Sequence, residues 1–189
     1  EKNISIGGTV IQTEEVAPFM ECAPCLLAPI LSQVKDDENI EVITNAEVEN
    51  IRGFFGNFKV KVKKRARYVK DNCIGCEECF DVCPVEVSHD FYHHLGTRKA
   101  IYTLFAGSVP QAAAIDSDHC KHFIDGSCKA CTEVCAFQSI DVEAEDETLS
   151  LSAGAVIIAT GVGGPGRESL GRYGYGTDEG RKTGESMLE

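Results

Sequence analysis

Residues 73 to 83 read Cys-Ile-Gly-Cys-Glu-Glu-Cys-Phe-Asp-Val-Cys, and Pro84 follows. Four thiols at the spacing C-x2-C-x2-C-x3-C-P constrain this chain more than any other stretch does. Three closely spaced thiolates let a short loop fold over one corner of a cubane, with backbone N–H groups turned toward the sulfurs. The fourth cysteine sits beyond a helical turn and points elsewhere, and Pro84 helps to end that turn. This is the bacterial-type run for a [4Fe–4S] cluster, in which the fourth cysteine serves the other cluster of a pair.

A second group, Cys120, Cys128, Cys131 and Cys135, has the spacing C-x7-C-x2-C-x3-C and is followed by Ala136 rather than proline. Its longer first gap contains Asp125-Gly126 and can turn, so it lengthens a loop without removing a ligand. Crosswise ligation assigns Cys73, Cys76, Cys79 and Cys135 to one cluster, and Cys120, Cys128, Cys131 and Cys83 to the other. A closed set of thiolates leaves no open position for a substrate, so the pattern points to electron transfer. Structural zinc is the competing reading. It commonly pairs two C-x2-C-like units around one tetrahedral ion, whereas runs of three or four close cysteines suit cubanes better. His119 and His122 flank Cys120, but with eight thiols already in place they read as neighbours of ligands or as solvated side chains.

Eight of the ten cysteines lie in residues 71–143, which carry a net charge of −8, against zero for 1–70 and −4 for 144–189. That break predicts a small acidic domain set into something else. The total of −12 argues against a nucleic-acid partner. No run approaches the roughly 20 apolar residues of a membrane span, and no secretory signal is visible. Ten cysteines in such a chain read as metal ligands or redox groups rather than a disulfide scaffold, and a cytoplasmic location is expected. The first residue is Glu1 rather than Met, and a fragment of a longer polypeptide is expected.

The flanks read as β-rich. Residues 58–63 alternate Phe58, Val60 and Val62 with Lys59, Lys61 and Lys63, a half-buried strand with a basic outer face. Gly53 and Gly56-Asn57 mark the turn before it, and the strand is expected to continue through Tyr68 and Val69. Short strands are expected at Ile40–Ile43 and Val48–Ile51. Leu149 and Leu151 alternate with serines, and Ala155–Gly161 reads as a buried parallel strand. The glycine-rich tail from 161 to 189 reads as loop. The acidic unit then sits between two strands of one meander, where an insert with close ends is tolerated. Pro29 favours a helix from about Pro29 to Lys35. Asp36, Asp37 and Glu38 would oppose its C-terminal dipole, so they belong to the loop beyond. Lys59–Lys70 holds seven of the eighteen basic residues. It could dock an acidic partner or raise a nearby cluster's potential, and a solvated strand face explains it equally well.

Several pieces together resemble the A subunit of heterodisulfide reductase and its relatives. They are Gly7-Gly8, the Cys22/Cys25 pair, Gly56–Val60, Arg67-Tyr68-Val69, Cys73–Pro84, Leu95–Tyr102 and Ile157–Gly161. The resemblance implies an α/β fold: part of a thioredoxin-reductase-like, FAD-binding Rossmann domain (1–70 and 144–189) with a β-meander, and an inserted α+β two-cluster ferredoxin-like domain (71–143). It implies FAD beside the two [4Fe–4S] clusters, with Glu1 on the ribose, Gly7 and Gly8 near the flavin nucleotide, and Thr160-Gly161 closing the crevice. It also implies partner subunits: heterodisulfide reductase B and C types, a hydrogenase or dehydrogenase donor, and ferredoxin. The family's N-terminal phosphate loop and C-terminal clusters have no counterpart here. Cys22 and Cys25 stay open between a redox disulfide, ligands of a further cluster and buried thiols. The leading functional expectation is an oxidoreductase subunit passing electrons between FAD and the clusters. The alternatives are a pure electron-transfer module, and a flavin-dependent NAD(P)H oxidoreductase with the same insert.

Overall fold

Ala23, Leu27 and Leu31 fall four apart, which puts them on one face of a helix. The computed structural model, which describes residues 1–161, places that helix at Ala23–Asp36 (α1), with Ala23 and Leu31 buried. A two-rung hairpin of Glu15–Val16 (β1) and Glu21–Cys22 (β2) leads into it. The helix therefore starts six residues before the expected Pro29, which lies in its interior on the exposed side. Proline there removes one backbone hydrogen bond, but the buried apolar face and a cap at Cys22 offset that loss. Asp37 and Glu38 lie beyond the helix as expected, and Asp36 is its last residue.

Next comes a hairpin of Ala46–Phe54 (β3) and Asn57–Lys64 (β4), closed by Phe55-Gly56. Gly53 has φ +114°, and a Cβ there would lie 2.1 Å from the Asn57 carbonyl oxygen, so only glycine fits. Two expectations fail beside this hairpin. Ile40–Ile43 forms no strand; Ile40 is exposed, and the segment is held by the Glu1 amino group donating to the Ile43 carbonyl at 2.9 Å. Nor does β4 run on to Val69. Tyr68 adopts φ +60°, which breaks the ladder, and Val69 makes only an isolated bridge to Ile140.

The excursion that follows carries short elements: Glu78–Asp81 (α2), Glu86–Ser88 (β5) paired with Thr97–Lys99 (β6), Ile101–Tyr102 (β7) paired with Ala114–Ile115 (β8), Lys121–Asp125 (α3) and Ala130–Val134 (α4). Two cores hold them. Ile4, Leu31, Leu104, Phe105, Val109 and Ala114 form the first, so the N-terminal segment packs on residues 104–114. Hydrogen bonds follow the same route: Ile6 N–H donates to the Val109 carbonyl at 3.0 Å, and Val109 N–H donates to Ser5 Oγ at 2.8 Å. Val69, Ile101, Ala113 and Ile115 form the second core, with cysteines around it. The half-buried Arg98 pairs with Asp116 at 2.8 Å and lies over the Tyr102 ring at 3.9 Å.

Glu147–Ala153 (β9) then returns antiparallel to β4, with Lys64 opposite Glu147 and Phe58 opposite Ala153. Val60 faces Leu151 and Val62 faces Leu149, so the alternation legible on both strands sets the register. Every strand pair among the described residues is antiparallel. Ala155–Gly161 is not the expected buried strand: it has no regular secondary structure, and Ile157 is 91 % exposed. An apolar run becomes a buried strand only where neighbouring strands take up its hydrogen bonds, and no strand among the described residues pairs with it. Residues 1–157 form one unit, and residues 158–161 begin a second. The rest of the expected loop tail, 162–189, lies outside the described residues.

Candidate metal centres

The eight cysteines of the two runs are all free thiols, and they fall into two hollows. Cys73, Cys76, Cys79 and Cys135 line one, together with Ala113, Ser139 and Ile140. Cys83, Cys120, Cys128 and Cys131 line the other, together with Ile101 and Ile115. Each hollow thus takes three thiols from one run and one from the other. Helices α2 and α4 lie against each other and make the exchange. Cys79 is on α2 with Cys83 just after it, and Cys131 is on α4 with Cys135 at its end. The second core, which includes Ile101, Ala113 and Ile115, contributes side chains to both hollows.

The loop over the first hollow depends on Gly75. Its φ is +68°, and a Cβ there would lie 2.7 Å from the Gln111 carbonyl oxygen. Cys76, on the same loop, is the exposed member of the eight. Burial pushes the pKa of the Cys79 thiol up to about 12, with neighbouring Cys73, Cys131 and Cys76 adding to the effect. Burial likewise raises Cys131. Cys135 goes the other way: burial raises it, but the backbone N–H groups of Ser139 and Phe137, the Ser139 side chain and the Gln138 N–H outweigh that and lower it. The Ser139 N–H donates to Cys135 Sγ at 3.4 Å. Buried thiols that resist ionisation need a cationic centre to become thiolates, and binding one releases their protons.

Among the described residues, no three His, Cys, Asp or Glu side chains converge as ligands of a single ion. Four thiols spread around a hollow suit a body that takes a thiolate at each corner, and this donor set fits a [4Fe–4S] cubane. His122 turns its Nδ1 to the Cys128 carbonyl at 3.0 Å, and the exposed His119 sits 3.0 Å from Asp116. Both stand beside the thiol loops.

Cys22 and Cys25 are joined in a disulfide at the start of α1, and both are exposed. Cys22 is also the N-cap of the helix, with Cys25 N–H donating to its Sγ at 3.3 Å. The residues assigned to a flavin by resemblance lie on the N-terminal segment and at the end of the described chain. Glu1 Oε1 accepts from Asn3 N–H at 2.9 Å, within its own segment. Gly7 has φ +129°, and a Cβ there would make ordinary contact with Phe105 and Leu27; at Gly8 a Cβ would meet nothing within 4 Å. Thr160 and Gly161 are exposed residues of the second unit. Sequence reasoning missed Ser139, which no spacing rule singles out. It noticed Arg67 only as part of a resemblance. Arg67 donates to the Ala112 carbonyl at 2.9 Å, to Thr44 Oγ1 at 2.8 Å and to the Ile4 carbonyl, tying three segments together.

A 4Fe-4S binding domain family matches residues 66–87, which include the whole first run and Pro84. Over 177 residues, 93 % of this chain, the sequence is 42 % identical to the iron-sulfur A subunit of the CoB–CoM heterodisulfide reductase of Methanocaldococcus jannaschii. It is 38 % identical, over the same share, to the A subunit of the H(2):CoB-CoM heterodisulfide,ferredoxin reductase of Methanothermobacter thermautotrophicus. The chain is homologous to a segment of the heterodisulfide reductase A subunit. A Methanosarcina acetivorans protein, the A subunit of ferredoxin:CoB-CoM heterodisulfide reductase, is 37 % identical over 95 % of the chain. The chain spans about a quarter of the length of these heterodisulfide reductase proteins: 26 % of the first two and 23 % of the third. No helix among the described residues is long and apolar enough to cross a membrane.

Proposed function

We propose that this chain is the electron-relaying part of a heterodisulfide-reductase-type oxidoreductase subunit, carrying two [4Fe–4S] clusters. Cys73, Cys76, Cys79 and Cys135 hold one, and Cys83, Cys120, Cys128 and Cys131 hold the other. The observation that carries this reading is the crossed lining of the two hollows. The chain's part is to supply four thiolates to each group and keep both against one apolar core. When bound, the clusters supply one-electron redox chemistry. The relatives' names speak of CoB–CoM heterodisulfide and ferredoxin. We extend to this chain the same kind of setting: a cytoplasmic complex with B- and C-type subunits, a hydrogenase or dehydrogenase donor, and ferredoxin. We also read residues 71–143 as an insert between 1–70 and 144–189, a reading supported by the pairing of Lys64 with Glu147.

A flavin neighbour rests on the resemblance alone, and stoichiometric FAD in the full-length protein would support it. Without FAD, the electron-transfer module is the better description; bleaching of a bound flavin by NADH would favour the pyridine-nucleotide reading. The ligand assignment is tested anaerobically. The full-length protein should hold about eight iron and eight sulfide atoms in this region. Cys135→Ser should abolish the EPR signal that Cys76→Ser abolishes, and Cys83→Ser the one that Cys128→Ser abolishes. Zinc without sulfide, or Cys135→Ser grouping with Cys128→Ser, would overturn it.

A further inference from the structure

Ser139 is 1 % exposed, and its hydroxyl meets no partner at full hydrogen-bonding geometry, although it lies beside the Cys135 sulfur. Leaving a buried hydroxyl without a partner is unfavourable, so such a group calls for an explanation. The residue is not loosely placed. Its N–H donates to Cys135 Sγ at 3.4 Å, and its carbonyl accepts from Lys70 N–H at 2.7 Å. The next residue, Ile140, bridges to Val69. The turn leading to it is fixed by Gln138, whose φ is +52° and whose N–H donates to the Cys135 carbonyl at 3.1 Å. With the backbone held on both sides, the short Ser139 side chain has few places to go. It lines the hollow of Cys73, Cys76, Cys79 and Cys135.

We infer that the Ser139 hydroxyl is a hydrogen-bond donor to the sulfur of the group held in this hollow, and that it raises that group's reduction potential relative to a cluster without such a donor. Reduction adds negative charge to a body already anionic through its four thiolates. A donor aimed at its sulfur is therefore worth more in the reduced state, and hydrogen bonds to sulfur are among the levers that set such potentials. The two runs differ at this point. Four residues after Cys135 stands Ser139, and four residues after Cys83 stands Val87. The two runs thus differ in residue at matching positions, while Val87 does not line the second hollow and Thr132 brings a hydroxyl there instead. This inference rests on the cluster reading above. Ser139 is a positioning residue in that sense: it takes no electron itself.

The test uses the full-length protein with its clusters in place, titrated anaerobically with EPR detection. The Cys76→Ser variant identifies which signal belongs to the first hollow. Ser139→Ala should lower the midpoint of that signal by about tenfold in the one-electron equilibrium, about 59 mV. The other signal should stay where it is, and iron should be retained. Ser139→Thr, which keeps a hydroxyl, should restore most of the shift. An exchangeable proton coupled to the reduced group should be visible in deuterium-exchanged wild type and lost in Ser139→Ala. If Ser139→Ala loses iron, Ser139→Cys, a weaker donor of similar size, should show a smaller fall. Unmoved midpoints with iron retained, or equal falls in the alanine and threonine variants, would overturn the inference. A wild-type protein lacking iron and sulfide would instead overturn the cluster reading.

Discussion

Replacing Gly75 with alanine should remove one cluster and leave the other. Two costs add at this position. An L-residue at φ +68° sits in the left-handed region, at about 1–2 kcal/mol. The new Cβ would also lie 2.7 Å from the Gln111 carbonyl oxygen and 2.9 Å from Gln111 Cγ. A backbone carbonyl cannot rotate aside as a side-chain end can, so the loop must move, at a further 1–3 kcal/mol or so. The sum is about 3 kcal/mol, on a loop whose ends are Cys73 and Cys76. A shift of a few tenths of an ångström there falls directly on two of four thiols. Anaerobic iron analysis of Gly75→Ala in the full-length protein should find about four iron atoms fewer than in wild type, half of the roughly eight expected for this region. Gly126→Ala is the control. Gly126 also has a positive φ, +72°, in the loop before Cys128, but a Cβ there would meet nothing within 4 Å. It should lose about 1 kcal/mol of stability and keep its iron. Full iron in Gly75→Ala, or equal losses in both variants, would refute this account of the loop.

Two other outcomes follow from charge and redox chemistry. Asp116→Asn leaves the half-buried Arg98 without its 2.8 Å partner, with only Asp90 at 3.8 Å, and should cost about 1–2 kcal/mol near neutral pH by denaturant titration, below the range for fully buried pairs. Burial raises the Asp116 pKa, but bonds to Arg98 and His119 outweigh it, so its folded value is depressed. Its contribution is then present above the ordinary carboxylate range and fades as pH falls through the folded pKa, so the gap between wild type and Asp116→Asn should narrow in acid. At the start of α1, reducing the Cys22–Cys25 disulfide should add two maleimide labels, and the double serine variant should keep its full iron content. A loss of about four iron atoms would instead make the pair cluster ligands.

How far these features were legible depends on what fixes each of them. The grouping of Cys135 with Cys73, Cys76 and Cys79 follows from spacing, because a cysteine after a short helical turn cannot face the loop that precedes it. The β4–β9 ladder was legible in the same way, since period-two alternation on both strands admits one register. Other features depend on neighbours that a local pattern cannot see. Pro29 is a local argument against a helix interior, and it lost to the Ala23–Leu27–Leu31 face, whose Leu27 and Leu31 pack with Phe105 and Val109. Ile40–Ile43 and Ala155–Gly161 have strand composition, but strand formation needs a hydrogen-bonding partner. Ser139 was illegible because a serine acquires meaning only once Gln138 and Lys70 fix where it points.

The crossed thiols also couple the two hollows to one folding event. Cys83 follows α2 and reaches the hollow of the second run; Cys135 follows α4 and reaches the hollow of the first. Neither set of four is whole until α2 and α4 are packed together. Both hollows are also floored by one core, with Ala113 and Ile140 on one side and Ile101 and Ile115 on the other. A single four-thiol site built from one run could fill while the rest of the chain stayed open. Here, binding at either hollow draws together residues 73–83 and 120–135, and so organises the other. This is why a loop change such as Gly75→Ala, which leaves the α2–α4 contact in place, is expected to spare the second hollow, whereas a change that parts α2 from α4 should empty both.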